Sequence, residues 1–321
     1  MLSACLTLIG GLVLLIFGAD RFIAGAARTA RGLGVSPLII GMTVVGIATS
    51  MPEILVGSVA AFQGKTIIAI GNAIGSNIAN IGLILGVTAV FTPFTITSRT
   101  LRREFLLMCG AILIALLLML DLNLSRFDGL ILITSLIGIS CWVILLAKKS
   151  PKTDPLASEF EQQIEQVTSV GSSVLLLFAG LLLLLAGSEL FVRGAVIIAQ
   201  ALGVSDLVIG LTIVAVGTSL PELAASMMSV VKNEPDIAIG NIIGSNMFNM
   251  LMVLGIPCLI QPSGFGLVVM ARDFLVMIML TILLGVMIFI HGRGRFDRLE
   301  GGVLLSCFIG YQILLFKAAS G

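Results

Sequence analysis

The sequence predicts an all-α integral membrane protein, ten transmembrane helices in two inverted five-helix repeats, and three observations predict it. The 321 residues are 58% hydrophobic and only 11% charged, with a mean hydropathy of +1.17, far outside the range of a soluble domain. Apolar windows of about 20 residues, the length that crosses ~30 Å of hydrocarbon, recur from end to end. Displacing the sequence by 169 residues lays Ser36 to Pro93 on Ser205 to Pro262 without a gap, with 23 of 58 positions identical.

The windows run at about 3–26, 36–62, 67–91, 104–121, 128–147, 171–198, 206–231, 237–260, 273–290 and 300–316. The first lacks a cleavage-site pattern before its basic flank and carries Asp20 and Arg21 near its end. It reads as a retained helix rather than a signal peptide. Of the 18 Lys and Arg, the loops after the odd-numbered windows, with adjacent helix ends, hold all but Lys65, Arg126, Arg193, Arg272 and Lys317. The positive-inside rule then expects those loops in the cytoplasm and both termini outside. The polar stretch 148–170 becomes a cytoplasmic linker between a first repeat, 1–147, and a second, 171–321. The same displacement matches Asp20 with Glu189, Arg103-Glu104 with Arg272-Asp273, and Phe127-Asp128 with Phe296-Asp297, so each copy spans five helices. Five is odd, so the second copy enters the membrane from the opposite side, an arrangement characteristic of secondary transporters.

Several function classes are disfavoured by composition. A net charge of +1 offers no basic patch for nucleic acid. The five cysteines are isolated in apolar runs, without C-x-x-C spacing, and read as small fillers rather than metal ligands. The only histidine, His291, belongs to a basic turn away from the matched motifs and is expected to be solvated. Serine chemistry would want a base near Ser50 or Ser219, and an aspartyl pair would want two deep Asp, whereas the deep acids are Glu. No enzyme and no cofactor are therefore expected.

The best-matched motif reads Thr49-Ser50-Met51-Pro52-Glu53 in the first copy and Thr218-Ser219-Leu220-Pro221-Glu222 in the second. An ionisable group at mid-membrane costs about 2.5–3.5 kcal/mol on insertion scales and persists where a cavity, a partner or an ion receives it. No Lys or Arg lies at comparable depth in the motif-bearing windows, so the partner expected is a cation or a proton. Pro52 and Pro221 remove a backbone donor and free the carbonyls of Ala48 and Gly217. Thr49 and Ser50 share the Glu53 face if the turn stays near helical. One such proline is as easily a plain kink as a functional break; two, each followed by Glu, favour function.

The next window reads Gly71-Asn72-x-x-Gly75-Ser76-Asn77-x-x-Asn80, matched by Gly240-Asn241-x-x-Gly244-Ser245-Asn246-x-x-Asn249. On a helix Asn72, Ser76, Asn80 and Asn77 fall at about 0°, 40°, 80° and 140°, with the glycines beside them. Gly71, Gly75, Gly240 and Gly244 are expected to pack helices closely, and some of the amides to face an ion. Carboxylate, amide, hydroxyl and carbonyl oxygen without sulfur or imidazole suit hard cations such as Ca²⁺ and Na⁺. Two carboxylates neutralise one Ca²⁺ or two Na⁺.

These motifs resemble those of the cation/calcium antiporter superfamily, and within it the prokaryotic sodium/calcium exchangers, over the full chain. The matched blocks at about 36–93 and 205–262 correspond to that family's two alpha-repeats. The resemblance implies the exchanger fold in a prokaryotic inner membrane, with Glu53 and Glu222 as central ion ligands. It carries further ligands onto Thr49, Ser50, Thr218, Ser219, Ser76, Asn80, Ser245 and Asn249, and backbone carbonyls onto Gly46 and Ala215. It implies Ca²⁺ and Na⁺ as transported ions and alternating access by sliding of the first and sixth helices. Asn249 stands where several relatives carry Asp, which makes potassium dependence less expected. Gly46-Ile47-Ala48 replaces the usual Ala-x-Gly. The third window lacks the acid typical of proton/calcium exchangers, which favours Na⁺ as counter-ion. Proton-coupled or broader cation exchange through the same glutamates is the alternative, and a cation channel a more distant one.

Overall fold

The computed structural model describes residues 1–96, 101–149, 170–203, 215–291 and 295–320. Most of the linker, 150–169, and Gly210 and Thr212 of the second repeat lie outside the described residues, as does the His291 side chain. The first half contains helices α1 (Leu2–Leu33), α2 (Pro37–Thr49), α3 (Met51–Phe62), α4 (Thr66–Phe91), α5 (Leu101–Met119) and α6 (Arg126–Lys149). The second contains α7 (Val170–Ala201), α8 (Ala215–Thr218), α9 (Leu220–Val231), α10 (Pro235–Ile260), α11 (Val269–Phe289) and α12 (Arg298–Ser320). Among the described residues, seven helices are long and apolar enough to cross a membrane alone, and α2 with α3, bent by 42° at their junction, makes an eighth. The two remaining windows are α5, whose first turn carries Arg102, Arg103 and Glu104, and α9, apolar but only 12 residues long.

Helices α1 and α7 are equivalents under the displacement, and they pack against each other along their lengths. Gly11 lies against Phe191, Gly18 against Leu184 and Gly25 against Leu177. As one number rises the other falls, so the equivalent helices are antiparallel and the two copies are inverted. Gly180, Gly187 and Gly194 face Phe22, Leu15 and Leu8 in the same way. A Cβ at any of these six would come within 2.6 Å of facing backbone. Lipid offers no hydrophobic drive between helices, so contact of this kind, backbone on backbone, is what joins them.

The connections sort into two ends. The turn after α9 meets α1 through Lys232 Nζ to Asp20 Oδ1 at 2.6 Å and an ion pair between Arg31 and Glu234. Burial pushes the Glu234 carboxyl above its usual range, Arg31 pulls it down, and Asp236 adds to the rise. Strand β1 (Phe94–Thr95) pairs antiparallel with β4 (Arg295–Phe296). At the other end, β2 (Asn123–Leu124) pairs with β3 (Ser263–Gly264), and Thr66 Oγ1 donates to Gln261 O at 2.7 Å. Every join links one half to the other, and each keeps odd-numbered connections with odd and even with even, as alternate crossings require.

α4 and α10 form the centre, 72% and 83% buried over their apolar windows, whereas α1, α7 and α12 bury only 28%. The outer helices turn Leu6, Ile9, Phe178, Leu182 and Ile313 outward, the apolar surface lipid requires. Asp128 and Asp297 cap helices: Asp128 accepts from the Ser125 amide at 2.8 Å, and Asp297 accepts from the Leu299 amide at 2.9 Å.

Gly18→Leu is expected to force α1 and α7 apart, an overpacking cost of about 1–3 kcal/mol. Its melting midpoint in detergent should fall by several degrees. Gly138→Leu, where a Cβ meets no atom within 4 Å among the described residues, should leave the midpoint unchanged or raise it.

Candidate functional site

Both Thr-Ser-x-Pro-Glu motifs fold alike. The helix stops at Ser50, with φ −81° and ψ 6°, and at Ser219, with φ −90° and ψ 4°. It restarts with the proline in the first turn, where a missing N–H costs nothing. Glu53 and Glu222 thereby fall in the first turn of α3 and of α9, at the positive end of each helix macrodipole. The Ala215–Thr218 turn precedes the second break.

The carboxylates are 0% and 2% exposed. No Lys or Arg approaches either one among the described residues. Hydrogen bonds across the repeats surround them. Ser50 Oγ donates to Glu222 Oε1 at 3.2 Å, and Thr49 Oγ1 donates to Asn241 Oδ1 at 3.1 Å. Thr218 faces Glu53 from the second repeat. Asn72 and Asn241 play matching parts, each Nδ2 donating at 3.4 Å to the backbone carbonyl of its own repeat's glutamate. Ser245 Oγ donates to Gly46 O at 3.4 Å. Thr49, Ser50, Ser219, Ser76, Asn80, Ser245 and Asn249 are all buried.

Oxygen dominates what is left over. Both Glu53 oxygens, Glu222 Oε2, Asn80 Oδ1, Asn249 Oδ1 and Asn77 Oδ1 are buried without a hydrogen-bond donor. Each buried acceptor left so costs about 1–3 kcal/mol, more when charged, and native proteins hold few. These acceptors lie on α3, α4, α9 and α10, and buried acceptors of this kind suit a positive charge. An all-oxygen set fits a hard cation, and among the described residues no three of His, Cys, Asp and Glu come together as a transition-metal site would need.

The glycine contacts are described for the second repeat. A Cβ at Gly240 or Gly244 would strike the backbone of Leu38 and Met42, at 2.4 Å and 2.0 Å, so α10 packs directly on α2. Nothing approaches Gly71 or Gly75 among the described residues; their equivalents of Leu38 and Met42 are 207 and 211, outside them. Pro52 and Pro221 were expected to leave free carbonyls, yet Gly217 O accepts from Ser188 Oγ of α7 at 3.1 Å. The equivalent position in α1 is Ala19, which has no hydroxyl to offer. Gly46 O still accepts from the Ser50 amide at 3.1 Å, so its helix is not fully unwound there.

Sequence reasoning passed over Asn77 and Asn246 as site residues and missed Met108 and Met277. Asn77 Nδ2 lies 3.5 Å from Met277 Sδ, and Asn246 Nδ2 lies 3.7 Å from Met108 Sδ. The two methionines are 169 residues apart, so the displacement that revealed the repeat would have paired them.

Comparison with known proteins agrees with this architecture. The sodium/calcium exchanger protein family matches residues 3–145 and 172–317, two blocks interrupted where the linker was read. The chain is similar to the putative antiporter CaxA of Alkalimonas amylolytica, 45% identical over 99% of this chain and 100% of that one. It is 39% identical to the inner membrane protein YrbG of Escherichia coli over 95% and 96% of the two chains. A solved structure of the sodium-calcium exchanger NCX_Mj, soaked with zero Na⁺ and Ca²⁺, superimposes with a TM-score of 0.83. It is 34% identical, covering 97% of this chain and 98% of that one. With matched inverted halves, two broken helices and this coverage, the chain belongs to the sodium/calcium exchanger family of integral membrane proteins.

Proposed function

We propose that the chain is a secondary antiporter that exchanges Ca²⁺ for Na⁺ at one oxygen-lined site between its two repeats. The observation that carries this reading is the pair of buried carboxylates, Glu53 and Glu222, with three of their four oxygens lacking a donor and no basic side chain to pair them among the described residues. Two negative charges balance one Ca²⁺ or two Na⁺, so the ions compete for the same oxygens. Glu53 and Glu222 are the principal ligands, helped by Thr49, Ser50, Thr218, Ser219, Ser76, Asn80, Ser245 and Asn249 and by the carbonyls of Gly46 and Ala215. The site takes ions as cargo and needs no cofactor, and nothing in its chemistry calls for an enzyme.

Alternating access follows from the packing. α1 and α7 meet backbone to backbone through six glycines, which makes them one body. That body slides over α2, α3, α4, α8, α9 and α10, exposing the carboxylates to one side and then the other. Domain limits of 1–147 and 171–321 around a linker at 148–170 fit two halves that exchange conformations. The concentration of basic residues in alternate connections supports a cytoplasmic linker with both termini outside, and our reading puts the chain in a prokaryotic inner membrane.

Vesicles loaded with Na⁺ and diluted into ⁴⁵Ca²⁺ test the reading, with K⁺-loaded and proton-gradient vesicles beside them. Uptake is expected only with internal Na⁺. Glu53→Gln and Glu222→Gln should each reduce it about 100-fold, the cost of removing one buried charge from a pair that binds an ion. Uptake driven by the proton gradient alone would replace the coupling ion, and uptake surviving both substitutions would move the pathway elsewhere. For orientation, a cysteine introduced at Ser158 in a variant without its five native cysteines should react with a membrane-impermeant maleimide in inverted vesicles and not in intact cells.

A further inference from the structure

An amide side chain has a donating end and an accepting end, and which way it points decides whether it can hold a cation. The central pair α4 and α10 contains a chain of contacts that fixes this choice. Asn80 Nδ2 donates to Asn246 Oδ1 at 3.1 Å. Asn246 can offer that oxygen because its own Nδ2 is directed at Met108 Sδ, 3.7 Å away. A flipped Asn246 would set donor against donor at Asn80 and acceptor against acceptor at Met108. With Asn246 held, Asn80 Oδ1 is the free end, buried and without a donor. Met108, Asn246 and Asn80 are all buried, at 0%, 0% and 2% exposure, so water does not compete for these orientations.

The inverted copy repeats the first half of this arrangement. Asn77 Nδ2 donates to Asn246 O at 3.2 Å and lies 3.5 Å from Met277 Sδ. Asn77 Oδ1, equivalent to the Asn246 oxygen that receives Asn80, has no donor here, and neither does Asn249 Oδ1. The circuit is thus closed on one side of the pseudo-symmetry axis and open on the other.

Resting on the exchanger reading above, we propose that Asn246, backed by the Met108 thioether, is a positioning residue that turns the Asn80 carbonyl oxygen toward the transported cation. Neither touches the ion. Their role is to make Asn80 an oxygen ligand in every transport cycle instead of one that spends part of its time presenting an NH₂ group.

The test is a double-mutant cycle on Na⁺-driven ⁴⁵Ca²⁺ uptake, with KM and maximal rate measured separately. Asn246→Ala is expected to raise the Ca²⁺ KM about tenfold, as loss of one ligand would, with the maximal rate held within about twofold. Asn80→Ala should do the same, and the double variant should be no worse than Asn80→Ala alone. Met108→Leu, which keeps the volume and removes the sulfur, should raise KM about threefold, a fraction of a full hydrogen bond. Additive effects at Asn80 and Asn246 would overturn the proposal. So would an unchanged KM in Met108→Leu, which decides the matter if Asn246→Ala does not fold. Wild-type vesicles without Na⁺-driven uptake would fail the exchanger reading itself, and the positioning role with it. Additivity in a working exchanger would sink only the positioning role.

Discussion

Two carboxylates buried in an apolar bundle, with no basic side chain beside them among the described residues, are the constraint on which the rest of the structure depends. Each charge at that depth is expensive alone, and two of like sign disfavour one another. The fold lowers it: the helix restarts just before each glutamate, so the dipole of the new helix favours the charge, and at Glu222 a hydroxyl from the opposite repeat donates across the interface. Ser50 reaches Glu222 in this way. What remains uncompensated is a cluster of oxygens, and a cation completes it. Function here is the unfinished part of the electrostatics.

The site exists only because the halves interlock. α10 lays Gly240 and Gly244 on the backbone of α2, which brings Ser245 to Gly46 and Asn241 to Thr49. Such contact is tight where it holds the site and differently made where the protein must move. α1 and α7 are joined to each other more intimately than to anything else, by glycines seven residues apart on each helix. Toward the central bundle they pack Ala19, Phe22, Ile23 and Ala26 in one apolar cluster with Ile40, Val45, Ala225 and Ile237, and add a hydroxyl from Ser188 and ion pairs from Asp20 and Arg31.

Much of this was legible in the residues themselves. Windows of hydrophobicity cover the seven helices that can cross a membrane alone and the bent pair α2 and α3 among the described residues, because lipid permits few alternatives to a helix, and the displacement of 169 residues exposes both repeat and inversion. Pro52 and Pro221 announce the breaks, and Glu53 and Glu222 their purpose. Details set by contact between distant segments were not legible. The glycines at 11, 18 and 25 pair with 180, 187 and 194 under the same displacement, yet in apolar runs their letters look like lipid-facing filler, and the packing is what shows them as a seam. The carbonyl freed by Pro221 looks available until Ser188 is found on it. Met108 and Met277 look like core side chains, because a thioether's value as a weak acceptor appears only when an amide nitrogen is placed beside it.

The central claim is that both repeats contribute to one site that Ca²⁺ and Na⁺ occupy in turn. Equilibrium binding of ⁴⁵Ca²⁺ to the purified protein in detergent, titrated with Na⁺, tests it most directly. The account predicts one Ca²⁺ per chain, displaced completely and competitively by Na⁺. Ca²⁺ that stays bound at saturating Na⁺, or two independent Ca²⁺ per chain, would contradict it.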